Sequence, residues 1–372
     1  MDKEFHGNSL RLARLFQNKT LNDVAVELGV SRQYVSRWET ERAIPNGEQL
    51  EGLSRALGVQ PSFFSSYDSK QLGEHQFHFR KLRSTKVATK NNTVALGEIF
   101  RRLATLIETK LDLPDVDFPT FDVQSPAEIE QAAEMCRKHW GLGLGPIDNM
   151  TRVVENAGAL VTNFKGVSSE VDALSITATR PLIVRNDAKE SPGRLRFDLA
   201  HECGHFVMHE GQITGDKKTE SEANHFASAF LLPRSSFIAD FPKMARISWG
   251  LISEIKQHYK VSKACILYRA RQLNRLTEQQ YKGAVIRLRK HEGRQEKDDY
   301  LLGDKEQPEL INNALAALKE HFGLGLYELE LELGLGEGSL LPVLGFYDLK
   351  VSPSSDSFDE YGNVVSLYQR FS

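Results

Sequence analysis

Residues 196–211 read RFDLAHECGHFVMHEG, and the fold of the middle of the chain turns on whether this is a metal-gripping helix or an amphipathic helix that happens to carry three histidines. His201, Glu202 and His205 fit H-E-x-x-H, a spacing that puts two imidazoles one helical turn apart on the same face. Phe197, Leu199, Phe206 and Val207 offer such a helix apolar anchoring. The motif alone is only suggestive, since chance produces it in on the order of one chain in a hundred of this size. A hydrolytic zinc centre needs three protein ligands and one open position, so a third donor has to be found. His209 lies about 12 Å along the helix axis from His201, too far to share one ion. Position 211 is Gly, so a third histidine ten residues after the first is absent.

The next stretch meets the need. TESEANHFASAFLLP (219–233) reads as a second helix that packs through Ala223, Phe226, Ala227, Phe230 and Leu231. Glu220 or Glu222 can complete a His, His, Glu set, and Asn224, one turn after Glu220, can steady a ligand by hydrogen bonding. Upstream, PAEIEQAAEMCRKHWGL (126–142) is an amphipathic helix, and DNMTRVVENAGALVTNF (148–164) reads as helix, Gly stop, then strand. Two further strands are expected at ALSITA (173–178) and PLIVRN (181–186), which makes a small α+β unit leading into the histidine helix. Gly204 costs a helix up to about 1 kcal/mol relative to Ala, which is reasonable if another backbone passes close by.

The amino-terminal part is a chain of short helices. Thr20 is placed to cap the second, with Asp23 as its capping-box partner, and Gly29 makes the following turn. Ser31 caps a third helix whose Val35 and Trp38 face inward, leaving Arg32, Gln33, Ser36 and Arg37 to point outward. Arg pairs with guanine or phosphate and Gln with adenine, so helix, tight turn and polar helix predict a helix-turn-helix that reads double-stranded DNA. The string from about residue 8 to 66, with SRQYVSRWE, Ile44-Pro45 and LSRALGV, resembles the Cro/CI-type (XRE) helix-turn-helix family. Arg80, Lys81, Arg83, Lys86 and Lys90 continue positive charge downstream, as phosphate contacts or as a solvated linker. His75 and His78 have no carboxylate or cysteine in ligand spacing and read as packing or solvent-facing residues.

The chain as a whole sets the bounds. A formal charge of -3 recommends no global attraction to nucleic acid, so any DNA contact has to be local. Cys136, Cys203 and Cys265 are odd in number and unpaired in spacing, which argues against a disulfide scaffold and fits a reducing cytoplasm. No stretch approaches the roughly 20 apolar residues of a membrane span.

From about residue 126 to 276 the sequence resembles the ImmA/IrrE family of zinc metallopeptidases, through RFDLAHECGHFVMH, ESEANHFASAFLLP and the helix-turn-helix-like LISEIKQHYKVSKACILYRARQLNRL. The resemblance implies a compact zincin fold with Zn2+ held by His201, His205 and Glu220, Glu202 as general base, and Asn224 behind the ligands. Glu220 is preferred to Glu222 because glutamate-type zinc peptidases place the ligand four residues before Asp or Asn. His225 or a tyrosine is a guess for the oxyanion donor, and PLIVRN is the candidate edge strand for an extended peptide. The expected architecture is mostly α with this α+β unit: a five-helix DNA-binding domain over 1–66, a helical connector over 67–125, the zincin-like domain over 126–240, a helix-turn-helix-like segment over 241–280, and a helical interaction region over 295–372. The expected activity is a DNA-binding regulator that is also a zinc endopeptidase, cleaving a repressor or itself, with a homodimer to meet two half-sites. The competing expectations are a transcription factor whose zincin domain senses or binds without turnover, and a partner protein of the toxin–antitoxin type.

Overall fold

Caps written into the sequence start the first helices of the structure, a computed structural model that describes residues 5–65, 77–79, 87–165, 174–186, 191–212, 214–292, 296–345 and 365–366. After α1 (Gly7–Phe16), Thr20 and Asp23 form the reciprocal capping box of α2 (Leu21–Leu28), which ends on Gly29 at φ +66°. Ser31 caps α3 (Arg32–Glu39), and Asn46 with Gln49 caps α4 (Gly47–Leu57). Val35 and Trp38 are fully buried beneath α3. The expected fifth helix is a 3-10 turn, Pro61–Ser65, whose Phe63 and Phe64 close the bundle. At five residues the segment has the length at which 3-10 turns are used as connectors.

The chain then adds a short strand, β1 (Phe77–Phe79), and the long helix α5 (Val87–Glu108). Asn92 of α5 donates to the carbonyls of Leu15 and Phe16 at 2.9 and 3.0 Å, tying α5 to the end of α1. His75, Arg80, Lys81, Arg83 and Lys86 lie outside the described residues. A two-residue strand β2 (Leu111–Asp112) leads to α6 (Pro126–His139), α7 (Met150–Asn156) and the strands β3 (Leu160–Phe164), β4 (Leu174–Thr177) and β5 (Pro181–Asn186). The helix stop before β3 is Gly158, at φ +90°, where an added Cβ would strike the carbonyl of Asp115 at 2.4 Å.

The described sheet runs β1-β4-β5-β3, with β3 parallel to β5 and the other two pairs antiparallel. PLIVRN, expected at an edge, is therefore the interior strand β5: its neighbours β3 and β4 take both sides of its ladder, as Leu160↔Leu182 and Ser175↔Ile183 record. Buried on both faces, its Leu182, Ile183 and Val184 suit that place.

One side of the sheet carries α8 (Pro192–Met208) and α9 (Lys217–Leu231), followed by α10 (Arg234–Asp240), α11 (Trp249–Tyr259), α12 (Lys263–Gln272) and α13 (Glu278–Glu292). The α11–α12 pair does have a helix-turn-helix outline, but its Ile252, Ile255, Ile266 and Leu267 are built into the hydrophobic core around α8 and α9. A second core joins the amino-terminal bundle and α5 to α14 (Leu310–Phe322), α15 (Leu326–Glu332) and one face of the sheet. The chain after α15 spans the two: Gly334 and Gly336 bond to Gln60 and Gly58, while Pro342 and Gly345 bond to Lys165 and Asn163 beside and within β3. Val365–Ser366 forms a last short strand, β6, parallel to β2; the rest of the expected interaction region after residue 345 lies outside the described residues.

A buried ion pair locks the helices behind the site. Arg269 of α12 forks onto Glu130 of α6, with Nη2 to Oε2 at 2.8 Å, and His225 of α9 reaches the same carboxylate at 2.8 Å. Burial alone would raise the Glu130 carboxyl, but Arg269 and His225 outweigh it and bring it down from 4.5 to about 2. A carboxylate depressed in this way stabilises the fold fully above its unfolded value and loses that contribution as pH falls through 4.5 toward 2. Glu130→Gln is expected to cost about 3 kcal/mol at pH 7, at roughly 1.4 kcal/mol per unit, and progressively less below pH 4.5; urea unfolding of both proteins across pH 3–7 measures it.

Candidate functional site

Two helices bring the ligands together. In α8 the i, i+4 spacing sets His201 and His205 on one face, and in α9 Asp216 caps the first turn through bonds to the amides of Lys218 and Thr219, placing Glu220 just inside the helix. The helices meet at Gly204, where any Cβ would press on Phe226 at 3.0 Å. The close neighbour that glycine admits is thus a phenylalanine side chain, and not the passing backbone expected from the sequence.

Across this contact His201 Nε2, His205 Nε2 and Glu220 converge. The two Nε2 atoms are 3.1 Å apart, His201 Nε2 is 3.4 Å from Glu220 Oε2, and His205 Nε2 is 3.3 Å from Glu220 Oε1. Tetrahedral zinc with bonds of about 2.0–2.1 Å requires donors about 3.3–3.4 Å apart, and each imidazole meets one of the two Glu220 oxygens at that spacing. The donor chemistry fits as well. Burial pushes the His205 imidazole down to about 4, which keeps its ring neutral at pH 7 with a lone pair to give. Burial acts against the Glu220 carboxylate, yet the adjacent His201 and His205 side chains hold it down at about 2.

The surroundings orient each donor. His201 Nδ1 lies 3.2 Å from Asn224 Oδ1, which accepts its proton and leaves Nε2 for the metal. Glu222 is drawn elsewhere, to His209 Nε2 at 3.0 Å, and His209 Nδ1 in turn stands 3.0 Å from His205 Nδ1. His209, rejected as a ligand, therefore sits behind one, a role the helical spacing of His205 and His209 could have signalled. Glu202 is buried beside the triangle and accepts a hydrogen bond from Ser175 Oγ of β4. Ser175 was invisible as a site residue in the sequence, although a serine between Leu174 and Ile176 is a polar interruption of an apolar strand. His225 turns its Nε2 to Glu130 of α6 at 2.8 Å.

These arrangements belong to recognisable families. Compared with known protein families, residues 154–271 match the IrrE N-terminal-like domain and residues 10–64 match the helix-turn-helix domain. The chain carries an IrrE N-terminal-like peptidase domain behind a helix-turn-helix DNA-binding domain. No curated protein matches it. The IrrE-like match begins within α7 and ends within α12, so it takes in the sheet strands β3 to β5 together with both ligand helices.

Room exists next to the IrrE-like site. Among its described members His201, Glu202 and His205 are almost wholly buried, and Glu220, with 17% of its side chain accessible, is the one that meets solvent. A cavity of about 950 Å³ opens beside Asn224, between Phe197 and Asp198 of α8, Tyr268 of α12 and Tyr281 of α13. Glu296, Asp298 and Asp299 form a second acidic cluster, but the Lys256 ammonium already donates to all three at 2.6–2.8 Å and fills the place of a cation. In the helix-turn-helix domain Arg32, Gln33 and Arg37 are exposed along α3 and Ser36 is half-buried. No described helix is long and apolar enough to cross a membrane.

Zinc binding separates the two glutamates. Glu220→Ala should abolish stoichiometric zinc binding, whereas Glu222→Ala, acting through His209, should weaken it about 10- to 100-fold; competition against a chromophoric chelator reads both.

Proposed function

We propose that the chain is a DNA-binding regulator whose IrrE-like domain is a zinc-dependent endopeptidase acting on a regulatory protein, a repressor of the Cro/CI type being the first candidate. The observation that carries this reading is the donor triangle of His201, His205 and Glu220, with sides of 3.1–3.4 Å, set against the carboxylate of Glu202. Bound there, zinc would supply the Lewis-acid polarisation of a scissile carbonyl. The protein's own part is the handling of the proton. Ser175 holds one Glu202 oxygen in place, so the carboxylate keeps a fixed aim as general base toward water and then carries the proton to the departing amine. Asn224 and the His209–Glu222 pair keep the two imidazoles in the tautomer that presents Nε2. The cavity beside Asn224 supplies space for a polypeptide along the same face of α8.

The DNA half of the proposal rests on α3. Arg32, Gln33, Ser36 and Arg37 present a cluster of hydrogen-bonding groups with Val35 and Trp38 as buried anchors. Three buried free cysteines suit a reducing compartment.

Glu202→Gln is the discriminating variant. It should retain zinc while cleavage of a repressor substrate falls about 10²- to 10⁴-fold, measured by mass spectrometry of the products. Equal cleavage by both proteins, or none by the zinc-loaded parent against any repressor tried, would leave a zinc-binding regulator without turnover. Separately, Gln33→Ala or Arg32→Ala should cost about 1–3 kcal/mol of operator affinity, read by fluorescence anisotropy, with no change in zinc content.

A further inference from the structure

The strand β4 has two flanks. One is paired to β5, and through Ser175 the same strand touches Glu202. The other flank carries β1, a piece of the chain from between the helix-turn-helix domain and α5. The pairing is antiparallel and its register is fixed: Phe77↔Ile176, His78↔Ser175 and Phe79↔Leu174. The backbone of His78 thus stands directly across from the one residue of the strand that holds the general base.

That position is the place for a substrate. A strand paired with β4 lies about 4.8 Å from it, so its backbone is brought next to the residue that aims Glu202. Main-chain pairing to an open strand edge is also how proteins capture extended peptides with little demand on sequence. The opposite edge of the sheet, β3, is engaged by the chain around Pro342–Gly345, through Lys165 N to Pro342 O at 2.8 Å and Gly345 N to Asn163 O at 2.7 Å. The β4 flank is therefore the side on which a polypeptide can approach both a strand edge and the catalytic carboxylate.

We propose that Phe77–Phe79 occupies, in cis, the strand position in which the peptidase site takes an extended polypeptide. The inference deepens the proposed function and rests on it for the word substrate, but the pairing itself is independent of turnover. The occupant's sequence, FHF over 77–79, gives the chemistry of the ligand: an extended stretch with aromatic residues at alternate positions. A tethered segment acts at an effective concentration in the millimolar range, so any polypeptide arriving in trans has to displace it.

The test uses the full-length, zinc-loaded chain and a fluorescein-labelled synthetic peptide of residues 72–84, with binding read by anisotropy. A triple variant, Phe77→Gly, His78→Gly and Phe79→Gly, weakens the tethered strand and should bind the peptide at least 10-fold more tightly than the unaltered chain. Equal affinity of the two proteins, or no binding to either, overturns the proposal. Hydrogen exchange on the unaltered chain needs no variant: the amides that pair β1 with β4 should be protected together, and exchange of Phe77–Phe79 at the rate of an unstructured peptide overturns it. Peptide binding without cleavage by the parent would remove the endopeptidase reading and leave the strand exchange standing, while cleavage of a repressor with equal affinity for the labelled peptide would do the reverse.

Discussion

The contact between α8 and α9 at Gly204 and Phe226 is the constraint on which the juxtaposition of His201, His205 and Glu220 depends. Each helix alone offers donors from one face, and neither can surround an ion. A side chain at position 204 would meet the Phe226 side chain at 3.0–3.2 Å, so Phe226 would have to give by a few tenths of an ångström. The helix accepts the loss of about 1 kcal/mol that glycine imposes, and the second helix is held from behind by His225 and Arg269 on Glu130. Apolar burial brings the two helices together, and buried polar pairs determine their register.

Much of this was legible in the residues and some was not. The caps at Thr20 and Ser31, the turn at Gly29 and the inward Val35 and Trp38 are local signals, and they read correctly because each depends on neighbours within four positions. The helix that carries His201 and His205 one turn apart is a local signal of the same kind. Glu220 was preferred over Glu222 by likeness alone, and the structure gives the physical reason: Glu222 has its own partner in His209. Ser175 and the interior position of PLIVRN were out of reach, since both depend on which strands lie side by side, and strand order is not written in period-2 patterning. The neighbour of Gly204 was misjudged for a similar cause, because a glycine announces close approach without saying what approaches.

The two hydrophobic cores do not follow the order of the chain. Residues of the helix-turn-helix bundle, α5, the sheet and α14–α15 share one core, whereas α6 to α13 build the other around the ligand helices. The sheet belongs to both, with Leu160, Leu182 and Val184 on one side and Val161 and Ile183 on the other. A strand buried on both faces, as β5 is, can transmit a displacement from one side to the other with little loss, because close-packed interiors compress poorly.

The segment after α15 extends that coupling to the backbone. It is bonded to Gly58 and Gln60 at one end and to Asn163 and Lys165 at the other, so the chain just after α4 and the β3 edge of the sheet are fastened by the same ten or so residues. It acts as a tie rod. Four main-chain hydrogen bonds set its length, so a shift of the backbone after α4 and a shift of the β3 edge are borne by one short stretch of chain.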